Sequence, residues 1–185
     1  ISLLSLSLFA CNKQPSIIGE WSSSSNGSTK TIILKEDNTY IVIDQNKRIY
    51  AGNPGGGGVY VSTNNGMNWV QKNNGLPDPA QISSLCLTAS GELYAGSFAG
   101  NNTAIYRSTN NAENWLPTNL TNASPENIVS YGSNVYAAVY TGGVYRTTDS
   151  GQNWTLINNG LTNKKINRLF AGSSGLYAAS DSGVF

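Results

Sequence analysis

The sequence predicts an all-β protein made by repetition, a β-propeller of four-stranded antiparallel blades. Three observations carry this. First, one turn recurs: STNNGMNW (Ser62 to Trp69), STNNAENW (Ser108 to Trp115) and TTDSGQNW (Thr147 to Trp154), with the Trp residues 46 and 39 residues apart. An interval of that size marks a repeat architecture. Second, the segments between the copies divide into short β-rich runs that can be laid over one another. Third, only 11 % of the 185 residues are charged, while Asn, Ser, Thr and Gly are plentiful. That composition suits short strands joined by many turns.

Each residue of the turn has a structural reason. Asn64, Asn110 and Asp149 can fold a side chain back onto backbone N–H groups. Gly66 and Gly151 supply positive φ without a steric penalty. Ala112 holds that place in the middle copy, so its turn is either strained or built differently. Ser62, Ser108 and Thr147 can hydrogen-bond across the turn. Trp69, Trp115 and Trp154 open the return strand and can plug the gap between packed sheets, where burial of such a side chain stabilises by roughly 2–3 kcal/mol.

The motif S/T-x-D-x-G-x-x-W resembles the Asp-box, or BNR, repeat of sialidase-like and sortilin-like β-propellers. TTDSGQNW is a full match. STNNGMNW has Asn for Asp, and STNNAENW has Asn for Asp and Ala for Gly. The resemblance runs through the flanking strands, roughly from Tyr40 to Phe185. It implies that the turns lie on the propeller face away from the usual ligand site. It leaves function open, because such propellers include sialidases, xyloglucanases, receptors and assembly factors.

Taken in order, residues 1–11 form an apolar run too short to span a bilayer. They read as the remnant of a signal peptide. Leu8-Phe9-Ala10-Cys11 resembles a bacterial lipobox, with Cys11 the lipidated residue and Phe9 an unusual occupant. Residues 12–39 read as a tether and a partial blade, because Trp21 precedes Gly27 by the same interval as Trp69 precedes Gly75. The alternative is a small β element, with a hairpin around Asp37-Asn38.

From residue 40 to 185 the blades follow. First strands are YIVI (Tyr40 to Ile43), SLCL (Ser84 to Leu87), NIVS (Asn127 to Ser130) and RLFA (Arg168 to Ala171). Second strands are IYAG (Ile49 to Gly52), LYAG (Leu93 to Gly96), VYAA (Val135 to Ala138) and LYAA (Leu176 to Ala179). Third strands are GVYVS (Gly58 to Ser62), AIYRS (Ala104 to Ser108) and GVYRT (Gly143 to Thr147). The recurrent turn and a Trp-led fourth strand complete each blade. Three blades are complete, and the last copy stops at Phe185, before its turn. The expectation is an incomplete propeller, truncated at both ends, from an intact protein of seven blades and about 280 residues.

The functional signal is thin. Without His, the chain has no His-based triad, base or metal ligand. Cys11 and Cys86 are too few for a Cys-rich zinc site, so no metal and no cofactor is expected. A net charge of +1 makes no case for nucleic acid. Pro54 to Gly58 is Gly-rich, yet it lacks the Lys-Ser/Thr of a phosphate loop. Arg107 and Arg146 share a third-strand position and read as surface residues, and no Arg-Ile-Pro segment announces a sialidase site.

Variable loops on a repeated scaffold are the usual place for binding. The second-to-third-strand links offer Phe98 and Tyr140, with Asp181 in the last copy. The blade-to-blade links offer Asp78, Glu126, Lys164 and Lys165. The expected function is a binding or assembly module for a protein or carbohydrate ligand, lipid-anchored in a bacterial cell envelope. The competing readings are a glycoside hydrolase of sialidase or xyloglucanase type, and a sensor or display ectodomain.

Overall fold

The computed structural model describes residues 21–22, 30–33, 40–99 and 102–185. Cys11 and the Asp37-Asn38 turn lie outside them. The described residues form seventeen strands and no helix.

Four consecutive sheets share one plan. Blade A comprises β3 (Tyr40–Ile43), β4 (Ile49–Asn53), β5 (Gly58–Ser62) and β6 (Val70–Gln71). Blade B comprises β7 (Ile82–Leu87), β8 (Leu93–Ala99), β9 (Asn102–Ser108) and β10 (Leu116–Thr121). Blade C comprises β11 (Pro125–Tyr131), β12 (Asn134–Val139), β13 (Gly143–Thr147) and β14 (Thr155–Leu156). Blade D holds β15 (Ile166–Gly172), β16 (Gly175–Ser180) and β17 (Gly183–Val184). Every neighbouring pair is antiparallel, and strand order follows chain order. This is the architecture of propeller blades.

Two further strands, β1 (Trp21–Ser22) and β2 (Lys30–Ile33), extend the sheet of blade A, because β2 pairs with β3 from Lys30↔Ile43 to Ile33↔Tyr40.

Blades pack face to face through the small residues beside each second-strand Tyr. Between A and B the core joins Val42, Tyr50, Val59 and Val61 to Ile82, Leu85, Ala95 and Trp115. Between B and C it joins Cys86, Tyr94 and Ile105 to Ile128, Val135 and Ala137. Between C and D it joins Tyr136, Ala138 and Val144 to Ile166, Leu169 and Ala178. Small residues matter at these seams. A Cβ on Gly52 would sit 2.6 Å from the Ile82 side chain of the next blade.

Polar latches cross the seams at the third position of the first strands β7 and β11. The N–H of Ile128 donates to Ser84 Oγ at 2.9 Å, and the N–H of Leu169 donates to Asn127 Oδ1 at 2.8 Å. A polar residue within each of these strands is thus the acceptor for the next blade's backbone. Both acceptors are buried, so each bond satisfies two groups that would otherwise be costly.

Candidate functional site

The three recurrent turns have the same geometry. In each, the hydroxyl accepts the N–H four residues on: Gly66 N to Ser62 Oγ at 2.8 Å, Ala112 N to Ser108 Oγ at 3.0 Å, and Gly151 N to Thr147 Oγ1 at 2.9 Å. The same hydroxyl donates to the amide or carboxylate oxygen of Asn64, Asn110 or Asp149 at 2.9–3.0 Å. That oxygen also accepts the backbone N–H of Asn68, Asn114 or Asn153. Two consecutive residues are left-handed: Asn65 and Gly66, Asn111 and Ala112, Ser150 and Gly151. Such a pair matches the twist of a hairpin.

Ala112 therefore does not build its turn differently. It adopts φ 67° in the same hydrogen-bonded frame, a conformation that costs a non-Gly residue roughly 1–2 kcal/mol. Ala112 is fully buried in the A–B core.

The Trp residues face the preceding blade. Trp115 is 1 % exposed, and its indole Nε1 donates to the Lys72 carbonyl of blade A at 2.9 Å. Trp154 packs on the B–C core with its Nε1 buried and without a hydrogen-bond partner among the described residues. Trp69 packs against Ile41 and Ile49 on the outer side of blade A. Neither the hydroxyls nor the Asx residues are free to meet a substrate.

Asp149 is the one titratable member of these turns. Hydrogen bonds from the Asn153 side chain and backbone hold its carboxyl below the ordinary 3.8. A depressed folded value means stability that is present above the unfolded value and is lost as pH falls through the folded one. Asp149→Asn, the residue of the sister turns, is expected to flatten the acid side of the stability–pH curve below pH about 4. Thermal melts between pH 2.5 and 6 check this, and an unchanged slope would refute the role of Asp149.

In an antiparallel four-stranded blade, the second-to-third links and the blade-to-blade links leave from the same end of the strands, opposite the recurrent turns. The links are tied together there: Gly58 N–H donates to Ala80 O, Phe98 N–H to Gln81 O, and Tyr140 N–H to Ser124 O, at 2.9–3.1 Å. Phe98 and Tyr140 hold equivalent places on blades B and C and are 39 % and 52 % exposed. Asp181 holds that place on blade D. Its carboxylate accepts from Lys165 Nζ at 3.0 Å and from Asn167 Nδ2 at 2.6 Å, which holds its carboxyl below the ordinary range. Lys165 is held above its ordinary value, first by Asp181 and more weakly by Tyr140 and Glu126.

So the structure brings Glu126, Tyr140, Lys165 and Asp181 into one neighbourhood at the C–D link. Asp78 and Lys164 are exposed on the same face, and Asp78 and Glu126 are not ion-paired among the described residues. Asn167 was not legible as a partner of Asp181. Its only signal is position, one residue into β15, where the register sets it beside the end of β16.

The opposite, turn-bearing face holds features the sequence reading missed. A cleft of about 330 Å³ opens between blades B and C, lined in part by Ser90, Glu92, Tyr94, Ser133, Thr148 and Ser150. Glu92 takes a hydrogen bond from Tyr94 Oη at 3.1 Å and a short ion pair from Arg107. Burial first, and then the Glu92 carboxylate, push the Tyr94 hydroxyl up to about 12. Blade A has a counterpart: Asp44 accepts from Arg48 Nε at 2.5 Å and from Tyr50 Oη at 3.2 Å. Arg107 is accordingly no plain surface residue. It is half-buried and bound to a carboxylate of its own blade.

Among the described residues, no group of three or more His, Cys, Asp or Glu could hold a metal ion. No helix of the described residues is long and apolar enough to cross a membrane.

No protein-family model matches the sequence, and no curated protein does. Solved structures do match in fold. YCF48 bound to a D1 peptide aligns at 14 % identity and TM-score 0.54, over 83 % of this chain and 58 % of its own. PorZ, a surface component of the type IX secretion system of Porphyromonas gingivalis, aligns at 12 % identity and TM-score 0.58, over 86 % of this chain and 30 % of its own. Virginiamycin B lyase from Staphylococcus aureus aligns at 14 % identity and TM-score 0.57, over 88 % and 67 %. The chain thus spans a little over half of YCF48 and under a third of PorZ. These similarities include an enzyme and non-enzymes, and they establish a β-propeller fold.

Proposed function

We propose that this chain is part of an extracytoplasmic β-propeller of the Asp-box type, tethered through Cys11, that binds a protein or glycan partner on its link-bearing face. One observation carries the reading. Phe98 and Tyr140 repeat an exposed aromatic at equivalent positions on neighbouring blades, beside the Glu126–Lys165–Asp181 charges. Aromatics rimmed by polar groups are the usual anchors of an interface. By contrast, the turn residues are consumed by their own hydrogen bonds and by packing. Fold neighbours support the class of function: YCF48 is seen with a bound peptide, and PorZ is a component of a secretion system. A peptide or protein partner is favoured over a glycan on that ground.

The test uses the intact chain on arrays of immobilised peptides and glycans. Concentration-dependent binding is expected, weakened at least tenfold by the double variant Phe98→Ala/Tyr140→Ala, or about 1.4 kcal/mol. The melting point of that variant should stay within about 2 °C, because both rings are exposed. In cells, labelled palmitate should enter the protein and be lost in Cys11→Ala. Binding indifferent to both rings, or glycoside turnover abolished by a link Asp or Glu variant, would overturn the reading.

A further inference from the structure

The seams between blades on the turn-bearing face are built from the same positions, and one of them lacks a part. Between B and C, Glu92 stands two residues before Tyr94, and the cross-strand partner of Tyr94 is Arg107. The Glu92 carboxylate takes the guanidinium on one oxygen and the Tyr hydroxyl on the other. Between C and D, Asn134 stands two residues before Tyr136, and the cross-strand partner of Tyr136 is Arg146. Tyrosine and arginine are repeated there, but the carboxylate is not.

Two groups register the loss. Asn134 reaches Tyr136 Oη at 3.3 Å through its amide, where Glu92 meets Tyr94 Oη with a carboxylate, so no carboxylate of blade C takes the Tyr136 hydroxyl. No ion pair among the described residues reaches the Arg146 guanidinium, whereas Glu92 holds that of Arg107; the Nε of both arginines is buried without a partner, so the missing ion pair is what sets the two seams apart. A half-buried cation without a counter-ion is a costly arrangement to keep. A carboxylate is the group whose two oxygens span a guanidinium Nη and a tyrosine hydroxyl, and the seam between B and C shows that span filled by Glu92.

We propose that the seam between blades C and D is a carboxylate-binding site, in which a carboxylate from outside the blade occupies the place that Glu92 fills between B and C. Arg146 supplies the charge and Tyr136 the second hydrogen bond. Asn134 leaves the position open. The carboxylate comes from a small acid or from an acidic side chain of a bound peptide, and the two are separable by experiment. The site is on the opposite face from the aromatic pair and stands whether or not that pair binds.

The chain has four arginines, so a ¹H–¹⁵N spectrum of the Nε–H groups is simple to assign with Arg146→Lys. The intact chain is titrated with sodium acetate and with a glutamate residue capped at both ends. Sodium chloride, inorganic phosphate and capped glutamine are the controls at equal ionic strength. The Arg146 signal is expected to move saturably with both carboxylates and with none of the controls. Saturation by capped glutamate at least tenfold below acetate identifies a peptide side chain, and equal saturation identifies a small acid. Asn134→Glu, which installs the carboxylate internally, is expected to abolish the shift and to raise the melting point by about 2–4 °C. No saturable movement overturns the proposal. So does an equal response to phosphate, or an undiminished response in a folded Asn134→Glu.

Discussion

Trp115→Ala is expected to lower the unfolding free energy by about 3–5 kcal/mol, the range for truncating a fully buried aromatic. The side chain belongs to blade B but is enclosed by the A–B core, with Val59, Val61, Ala80 and Ala112 in the same cluster. Its loss leaves a cavity at a seam between two sheets, which cannot close without sliding one blade on the other. It also strands the Lys72 carbonyl that now accepts from the indole at 2.9 Å. The nearby Lys72–Glu113 ion pair adds little, since Glu113 is largely exposed. Trp115→Phe separates the two terms: packing is mostly retained, and the unpaired carbonyl alone costs about 1–3 kcal/mol. Trp154→Ala is the internal control. That ring is only partly buried and its Nε1 has no partner to lose, so roughly 2 kcal/mol is expected. Urea denaturation of the three variants decides the matter. A Trp115→Ala loss no larger than that of Trp154→Ala would show that the plug is not what joins blades A and B.

Gly75→Ala is expected to be the most damaging glycine substitution, and Gly160→Ala a mild one, although the two glycines stand six residues after equivalent tryptophans. Both are left-handed, with φ of 91° and 83°, so each substitution carries the same strain of roughly 1–2 kcal/mol. Their surroundings differ. A Cβ on Gly75 would lie 2.0 Å from the backbone oxygen of Trp115, whereas one on Gly160 meets nothing within 4 Å. Backbone cannot swing aside as a side chain can. The turn of blade B is also pinned there by the Trp115 N–H, which donates to Asn74 O at 2.8 Å. Relief requires the seam to open, for a total above about 4 kcal/mol, in the range that signals a specific mechanism. The difference between the two melts isolates the seam contact from the conformational strain. Equal losses would mean that only φ matters.

These contrasts mark what could be read from the chain. The first three strands of blades A to C and the first two of blade D were legible because each is a β-rich run of four to seven residues bounded by turn residues. A period of two and a repeat near 40 residues are properties of sequence order alone. The hydrogen-bonded frame of the turns was also legible, because Ser62, Asn64 and Gly66 interact within a few residues of one another. The stretch from Lys30 to Ile33 was harder. The interval from Trp21 to Gly27 suggested the last strand of a partial blade just before it, and Lys30 to Ile33 itself pairs with β3.

What the sequence by itself determined is the unit: four antiparallel strands, a left-handed two-residue turn, a Trp that leads the return strand, and loops of variable composition at the other end. All of these depend on neighbours in the chain. Tertiary structure decided everything that depends on which blade meets which. It made Trp115 a buried plug and left Trp154 partly open. It turned Ser84 and Asn127 into latches for residues more than forty positions away. It gathered Lys165, Asn167 and Asp181 into one cluster and gave Arg107 a carboxylate that Arg146 lacks. Repeats make equivalent residues look alike along the chain. Burial and charge pairing are set by the neighbouring sheet, and that is where equivalent residues come to differ.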